Sequence, residues 1–126
     1  MANEPQPSSA LMTAVSWGAL LLALACLGFL AIYIPADRET FVHIFAAFGM
    51  KLPLATELML SIPDAVFPAI AGVVALACVT LQLFVRAKGG VALFHMLIVV
   101  LCCMAFNAYR ESILQPLIAL MNDLSR

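Results

Sequence analysis

The chain has 126 residues, of which 65% are hydrophobic and only 10% are charged, and its mean hydropathy is +1.10. Soluble domains are about half apolar and about a quarter charged, so this chain lacks the polar surface that dissolves in water and is expected in a bilayer. Six basic and seven acidic residues nearly balance, with no basic patch for a nucleic acid backbone. Nucleic-acid binding is therefore excluded.

The first apolar run follows a short polar tail. Residues 1–9 are polar and hold two prolines, which predicts a disordered tail. Residues 10–34 contain no charge and are long enough to cross a hydrocarbon core of about 30 Å as a helix. Trp17 and Tyr33 lie near the ends of this run, where amphipathic rings prefer the level of the lipid headgroups. We predict a first span that Pro35 ends.

The connection at residues 37–62 is predicted to form two short helices at the membrane surface. Charges return here, while three phenylalanines recur at helical spacing on one side: Phe41, Phe45 and Phe48. This pattern is typical of an amphipathic helix that lies in the interface with its apolar face among acyl chains. Gly49 suits a left-handed helix cap, and Pro53 suits the first position of the second short helix.

Two further apolar runs complete the membrane part. Residues 65–85 are uncharged, and Asp64 at their start is expected in the first helical turn, against the helix dipole. Three small residues in this span would let another helix approach: Ala71, Gly72 and Ala75. The third run, at 91–108, is near the short limit for spanning. The tail at 111–126 is amphipathic and interrupted by Pro116, so we expect it to lie on the membrane or dock on a partner.

The basic residues predict the orientation. Three spans place the N-terminus and the turn at 86–90 on one side, and the connection and the C-terminus on the other. Arg86 and Lys88 form the densest basic pair close to span ends. Short loops of this kind remain in the cytoplasm, so we predict a cytoplasmic N-terminus.

The connection also carries a family-like order of residues after a span that ends in Tyr33-Ile34-Pro35. The motif positions are Gly49, Leu52, Pro53, Thr56 and Asp64. With this spacing, residues 20–92 resemble the type II secretion system F family, the inner-membrane platform proteins of type II secretion and type IV pilus machines. The resemblance implies a two-span hairpin with an interfacial loop, in a scaffold-like subunit packed among other membrane helices. The apolar run at 91–108 departs from the soluble domain that follows in the family, so docking of an assembly motor is not expected.

Few residues offer chemistry. His95 and His43 are the candidates for holding a haem or a metal, but a lone histidine near a basic turn more simply makes a hydrogen bond, so we assign no cofactor and no metal. Cys102 and Cys103 have no activating cation beside them in sequence and are expected to pack. No nucleophile with its base, paired carboxylates or phosphate-binding loop emerges, so we predict no enzymatic activity.

Together these patterns predict an all-α integral membrane protein with three transmembrane helices and one membrane domain at 10–110. We expect a structural or accessory subunit of a larger assembly in the bacterial inner membrane, in contact with lipids and bound to further copies or to other membrane proteins. Two alternatives stay open. One is a haem-bearing or electron-transfer subunit that uses His95 together with His43 or with the His95 of a second copy. The other is a small oligomeric channel or transporter, with Thr80, Gln82, Asn107 or His95 facing a common axis.

Overall fold

The computed structural model describes residues 7–49 and 51–126, so residues 1–6 of the predicted tail lie outside the described part. The described residues form four helices and no strand, which confirms the all-α class. The helices are α1 (Pro7–Phe48), α2 (Leu54–Ser61), α3 (Val66–Phe84) and α4 (Lys88–Leu124). By length and composition α1, α3 and α4 can each cross a membrane. The chain is a multi-pass membrane protein.

Helix α1 is longer than the sequence predicts at both ends. It begins at Pro7, inside the predicted tail, where the missing N–H of a proline costs nothing in a first helical turn. It also continues through Pro35 to Phe48, so the predictions that a helix ends at Pro35 and that a separate interfacial helix follows it are wrong. An internal proline removes one backbone hydrogen bond. Ile34 and Arg38, on either side of Pro35, are buried against the rest of the protein. Their packing offsets the missing hydrogen bond, so the helix continues.

Helix α4 likewise absorbs the C-terminal tail. The segment at 111–126 does not form a separate amphipathic tail, because α4 runs from the third apolar run through Pro116 to Leu124. Pro116 and Ile113 are buried, so this part of α4 packs against the rest of the protein. The prediction of an interruption at Pro116 is wrong, and the contact that compensates for the proline is described below.

The three long helices form an up-down-up bundle. Helix α1 packs along both α3 and α4, whereas α3 and α4 contact each other little. Tyr109 of α4 bonds Asp37 of α1, and a side chain placed on Gly89 at the start of α4 would contact Met12 of α1, so these two helices are parallel. The antiparallel α3 lies beside α1. Helix α1 is thus the central element on which the other helices are placed.

The connection between α1 and α3 folds back onto the bundle. Gly49 has a φ of 60°, the left-handed conformation predicted for a cap, and its N–H bonds the carbonyl of Ala46 at 3.3 Å. The residue Pro53 immediately precedes α2, and the α2 amide of Glu57 bonds its carbonyl. The chain therefore reverses within a few residues and brings α2 against α1 and α4.

The face formed by Phe41, Phe45 and Phe48 is covered largely by protein. Phe45 is buried, and Phe41 packs against a core cluster of Ile34, Tyr109 and Ile113. The sequence predicts acyl chains around this face, but within the described residues protein covers it, and Phe48 alone of the three is exposed. Periodicity shows that a face is apolar without showing what covers it.

Candidate functional site

Polar side chains gather at both ends of the bundle. At the end formed by the turn between α3 and α4 lies the turn-side cluster of Ser16, Gln82, Lys88 and His95. At the other end lies the connector-side cluster of Asp37, Arg38, Thr56, Asp64 and Tyr109. The helical rise between Ser16 and Arg38 along α1 is about 33 Å, close to the thickness of a hydrocarbon core. The separation of the two clusters therefore matches the thickness of a hydrocarbon core.

The turn-side cluster ties the three long helices together. The Ser16 hydroxyl donates to Oε1 of Gln82 at 2.7 Å, and both side chains are buried. The Lys88 ammonium donates to the backbone carbonyl of Gln82 at 2.5 Å. Groups that would be costly in lipid are thus paired across α1, α3 and α4.

His95 forms part of the same cluster and is completely buried, with 0% of its surface exposed. Its Nε2 lies 3.2 Å from the Cys78 carbonyl, and because a carbonyl only accepts, Nε2 carries the proton. Nδ1 of His95 and Nε2 of Gln82 have no hydrogen-bond partner among the described residues. The ring links α4 to α3.

The two histidines are far apart. Helices α1 and α4 are in register where Asp37 meets Tyr109. Measured from that level, His95 lies about 21 Å toward the turn side and His43 about 9 Å the opposite way, a separation of roughly 30 Å along the bundle. One chain therefore cannot hold a haem between them. Among the described residues no group of three or more His, Cys, Asp and Glu is placed to bind a metal.

The residues considered for a pore do not share an axis within the chain. Gln82 and His95 are buried between helices, whereas Thr80 and Asn107 are exposed on the outside. The Thr80 hydroxyl bonds the Leu76 carbonyl of its own helix at 2.8 Å, so it already has a partner. A polar pathway through this chain would need a different set of side chains.

All four cysteines are free thiols. Cys26, Cys102 and Cys103 line a cavity of about 320 Å³ between α1 and α4, whose other walls are apolar. Cys78 and Cys102 are buried, and Cys103 is exposed. The cysteines thus occupy the apolar surroundings that the sequence indicates.

Arg38 is the centre of the connector-side cluster and is only 6% exposed. Its Nη1 donates to Oδ1 of Asp64 at 2.5 Å, and its Nη2 donates to the Leu60 carbonyl at 2.6 Å. The guanidinium carbon lies 5.4 Å from the ring centre of Phe67, a cation–π distance. Nε has no partner among the described residues. Arg38 therefore joins α1 to the end of α2 and the start of α3.

This pairing corrects the expected role of Asp64. The first turn of α3 holds no acidic residue, and its N-cap is Ala65. Asp64 precedes the helix and directs its carboxylate at Arg38 instead of at the helix dipole. A basic residue after one span and an acidic one before the next are visible in the sequence, but their distance depends on the path of the connection.

Thr56 makes the contact that Pro116 requires. A proline at 116 has no N–H, so the Ser112 carbonyl lacks the donor that normally lies four residues later in a helix. The hydroxyl of Thr56 donates to this carbonyl at 2.8 Å. Nearby, the Tyr109 hydroxyl donates to Oδ2 of Asp37 at 3.1 Å. A family-like motif residue on α2 thus supports α4 from outside it.

A laterally open crevice lies between α3 and α4, with α1 as its floor, and has a volume of about 310 Å³. Its walls are almost entirely apolar. They are formed by Leu27, Leu30, Ala31, Ile34, Met59, Phe67, Ile70, Ala71, Val74, Ile98, Leu101, Cys102 and Ala105. The crevice exists because α3 and α4 meet at the turn side and separate toward the connector side.

The small residues predicted for helix packing do not share one environment. Ala71 and Ala75 are half-buried, and Ala71 lines the crevice. Gly72 is exposed, and a side chain placed on it would meet nothing within 4 Å. The set therefore divides between the interior of the chain and its outer surface.

No protein family, curated protein or solved structure matches this chain. Its class rests on fold and chemistry alone. It is an all-α multi-pass membrane protein with a polar cluster at each end of its helix bundle.

Proposed function

We propose that the protein is a non-enzymatic structural or accessory subunit that binds other membrane helices through the outer face of α3. The observation that carries this proposal is how little of α3 the chain itself covers. Of its 19 residues only Cys78 and Gln82 are buried, both in its turn-side half. A helix held along so narrow a stripe retains most of its surface for further contacts.

The composition of the uncovered face supports a helix partner. Gly72 lies near the middle of α3, where its open surroundings let another backbone approach closely. Membrane helices associate through small residues of this kind, because lipid offers no hydrophobic driving force between them. Large apolar side chains such as Val73 and Leu76 flank it and are exposed. A partner helix would gain van der Waals contact with these side chains.

The assembly we propose is a platform of the type II secretion or type IV pilus kind in the bacterial inner membrane. The resemblance over residues 20–92 supports it, as do the positions of the family-like residues. Gly49 ends α1, Thr56 is buried, and Asp64 pairs with Arg38, so each contributes to the placement of α2. The orientation we propose has the N-terminus and the turn with Arg86 and Lys88 in the cytoplasm.

A pair of matched variants tests the proposal. Gly72→Leu adds a bulky side chain to the outer face of α3, and Gly28→Leu adds the same group to the outer face of α1, where space is equally open. We expect cross-linking in native membranes and purification in mild detergent to recover wild-type protein with bound copies or other membrane proteins. Gly72→Leu should lose these complexes, and Gly28→Leu should keep them. A wild-type protein that is only monomeric, or complexes indifferent to Gly72→Leu, would contradict the proposal.

A further inference from the structure

The crevice between α3 and α4 lies at the depth of the hydrocarbon core. Its floor is formed by residues 27–34 of α1, which lie between the two polar clusters, and the separation of these clusters matches the thickness of a hydrocarbon core. Its walls present almost no polar surface. A cavity of this kind that opens sideways in a membrane faces acyl chains rather than water.

The connector-side end of the crevice carries a buried cation. Phe67 lines the crevice, and the guanidinium of Arg38 lies over its ring. Met59 also lines the crevice, and the next residue, Leu60, accepts a hydrogen bond from Arg38. Ile34, another lining residue, is one helical turn before Arg38 on α1. An apolar crevice thus leads to a buried arginine at the connector-side end of the bundle.

Arg38 retains capacity to bind an anion. Its guanidinium has five N–H donors, and Nε–H has no partner among the described residues. Its counter-ion Asp64 has a side chain that is 67% exposed, so this carboxylate can turn outward into water. A phosphate offers the same paired oxygens to the arginine fork as a carboxylate does.

We propose that this crevice binds an anionic phospholipid, with one acyl chain along α1 between α3 and α4 and the phosphate on Arg38 in place of Asp64. The crevice supplies the site for the chain, and Arg38 supplies the selection for negative charge. Asp64 acts as a competing anion that occupies Arg38 when no lipid is bound.

The test compares two lipids that share their acyl chains and differ in charge, phosphatidylglycerol and phosphatidylcholine. The full chain is purified in mild detergent, depleted of lipid and titrated with each lipid, and the bound fraction is read by native mass spectrometry. One basic residue at the membrane surface favours an anionic lipid by about fivefold, which is the preference expected for wild type. Arg38→Gln should bind the two lipids equally.

Two further variants separate the parts of the site. Asp64→Asn removes the competing anion and should raise the preference for phosphatidylglycerol above the wild-type value. Ala71→Leu fills the crevice from α3 and should weaken both lipids by the same factor. Arg110→Gln is the matched control, because Arg110 is an exposed arginine near the same boundary and its loss should leave the preference unchanged.

Several results would overturn the proposal. A wild-type protein without preference, or Arg38→Gln and Arg110→Gln proteins that lower it equally, would show only a general attraction to positive charge. Circular dichroism reports whether each variant is folded. If Arg38→Gln does not fold, Asp64→Asn decides, and a preference that stays the same or falls refutes the proposal. If Ala71→Leu disrupts the complexes with other membrane proteins but leaves the binding of both lipids unchanged, the crevice binds a protein helix and the proposal is wrong.

Discussion

The pairing of Thr56 with the Ser112 carbonyl gives the sharpest test of the fold. Thr56 is 2% exposed and lies far from α4 in sequence, yet it supplies the donor that Pro116 removes. Thr56→Val keeps the shape of the side chain and deletes the hydroxyl. The partly buried Ser112 carbonyl is then left without a partner, so the free energy of unfolding should fall by about 1–3 kcal/mol.

A double-mutant cycle isolates this effect from general damage to packing. Pro116→Ala restores an N–H at residue 116, which can bond the Ser112 carbonyl within α4. In that background the carbonyl no longer depends on Thr56, and Thr56→Val should cost less than about 0.5 kcal/mol. The difference between the two costs, about 0.5–3 kcal/mol, is the coupling energy between Thr56 and Pro116.

Unfolding in mixed micelles, followed by circular dichroism as the fraction of denaturing detergent rises, measures each corner of the cycle. Thr80→Val is the control, because Thr80 is exposed and bonds a carbonyl within a regular stretch of helix. It should change the free energy of unfolding by about 0.5 kcal/mol or less. Equal losses from Thr56→Val with and without Pro116 would refute the reasoning.

Three further predictions use the same unfolding measurement. Ser16→Ala should lower the free energy of unfolding by about 1 kcal/mol. Gln82→Leu should lower it by less, because this change also removes the unpartnered Nε2. A larger loss from Gln82→Leu would mean that this amide has a partner outside the chain. Tyr109→Phe should lower the free energy of unfolding by about 1 kcal/mol, because it removes the hydrogen bond to Asp37. Tyr33→Phe changes an exposed ring and should have no effect. Equal effects of the two variants would mean that the loss does not come from the bond to Asp37. Gly49→Ala should lower the free energy of unfolding by about 1–2 kcal/mol, because the backbone at Gly49 has a positive φ. Gly72→Ala lies inside a helix with open space around it and should not destabilise the isolated chain. A Gly49→Ala protein as stable as wild type would contradict the left-handed cap.

The spans could be predicted because their signal is local. A helix that crosses a membrane needs an uncharged run of a certain length, which is a property of consecutive residues. The second span, predicted at 65–85, is the helix at 66–84, and Gly49 adopts the predicted left-handed conformation. Predictions about Pro35 and Pro116 failed for the opposite reason. The cost of a proline is local, but the contacts that offset it come from residues distant in sequence, such as Thr56 for Pro116.

The candidate sites show the same division. Sequence reasoning singled out His43 and His95 by residue type, but it could not give the roughly 30 Å between them, which follows from the register of α1 and α4. It missed the ion pair between the buried Arg38 and the exposed Asp64, although both residues flank predicted spans. Charge at a span end indicates a boundary, and only the folded connection shows whether two such charges meet.

Local sequence patterns were enough to predict that the protein resides in a bilayer, how many apolar helices it has and where the turns between them fall. Hydrophobicity and backbone preferences act over a few neighbouring residues, which is why these features could be predicted. The folded arrangement of the helices was needed to show which polar groups pair at each end of the bundle, that α4 packs against Phe41, and that α3 and α4 separate to leave an apolar crevice beside Arg38. These features depend on the register and divergence of helices far apart in the chain, which no local pattern encodes.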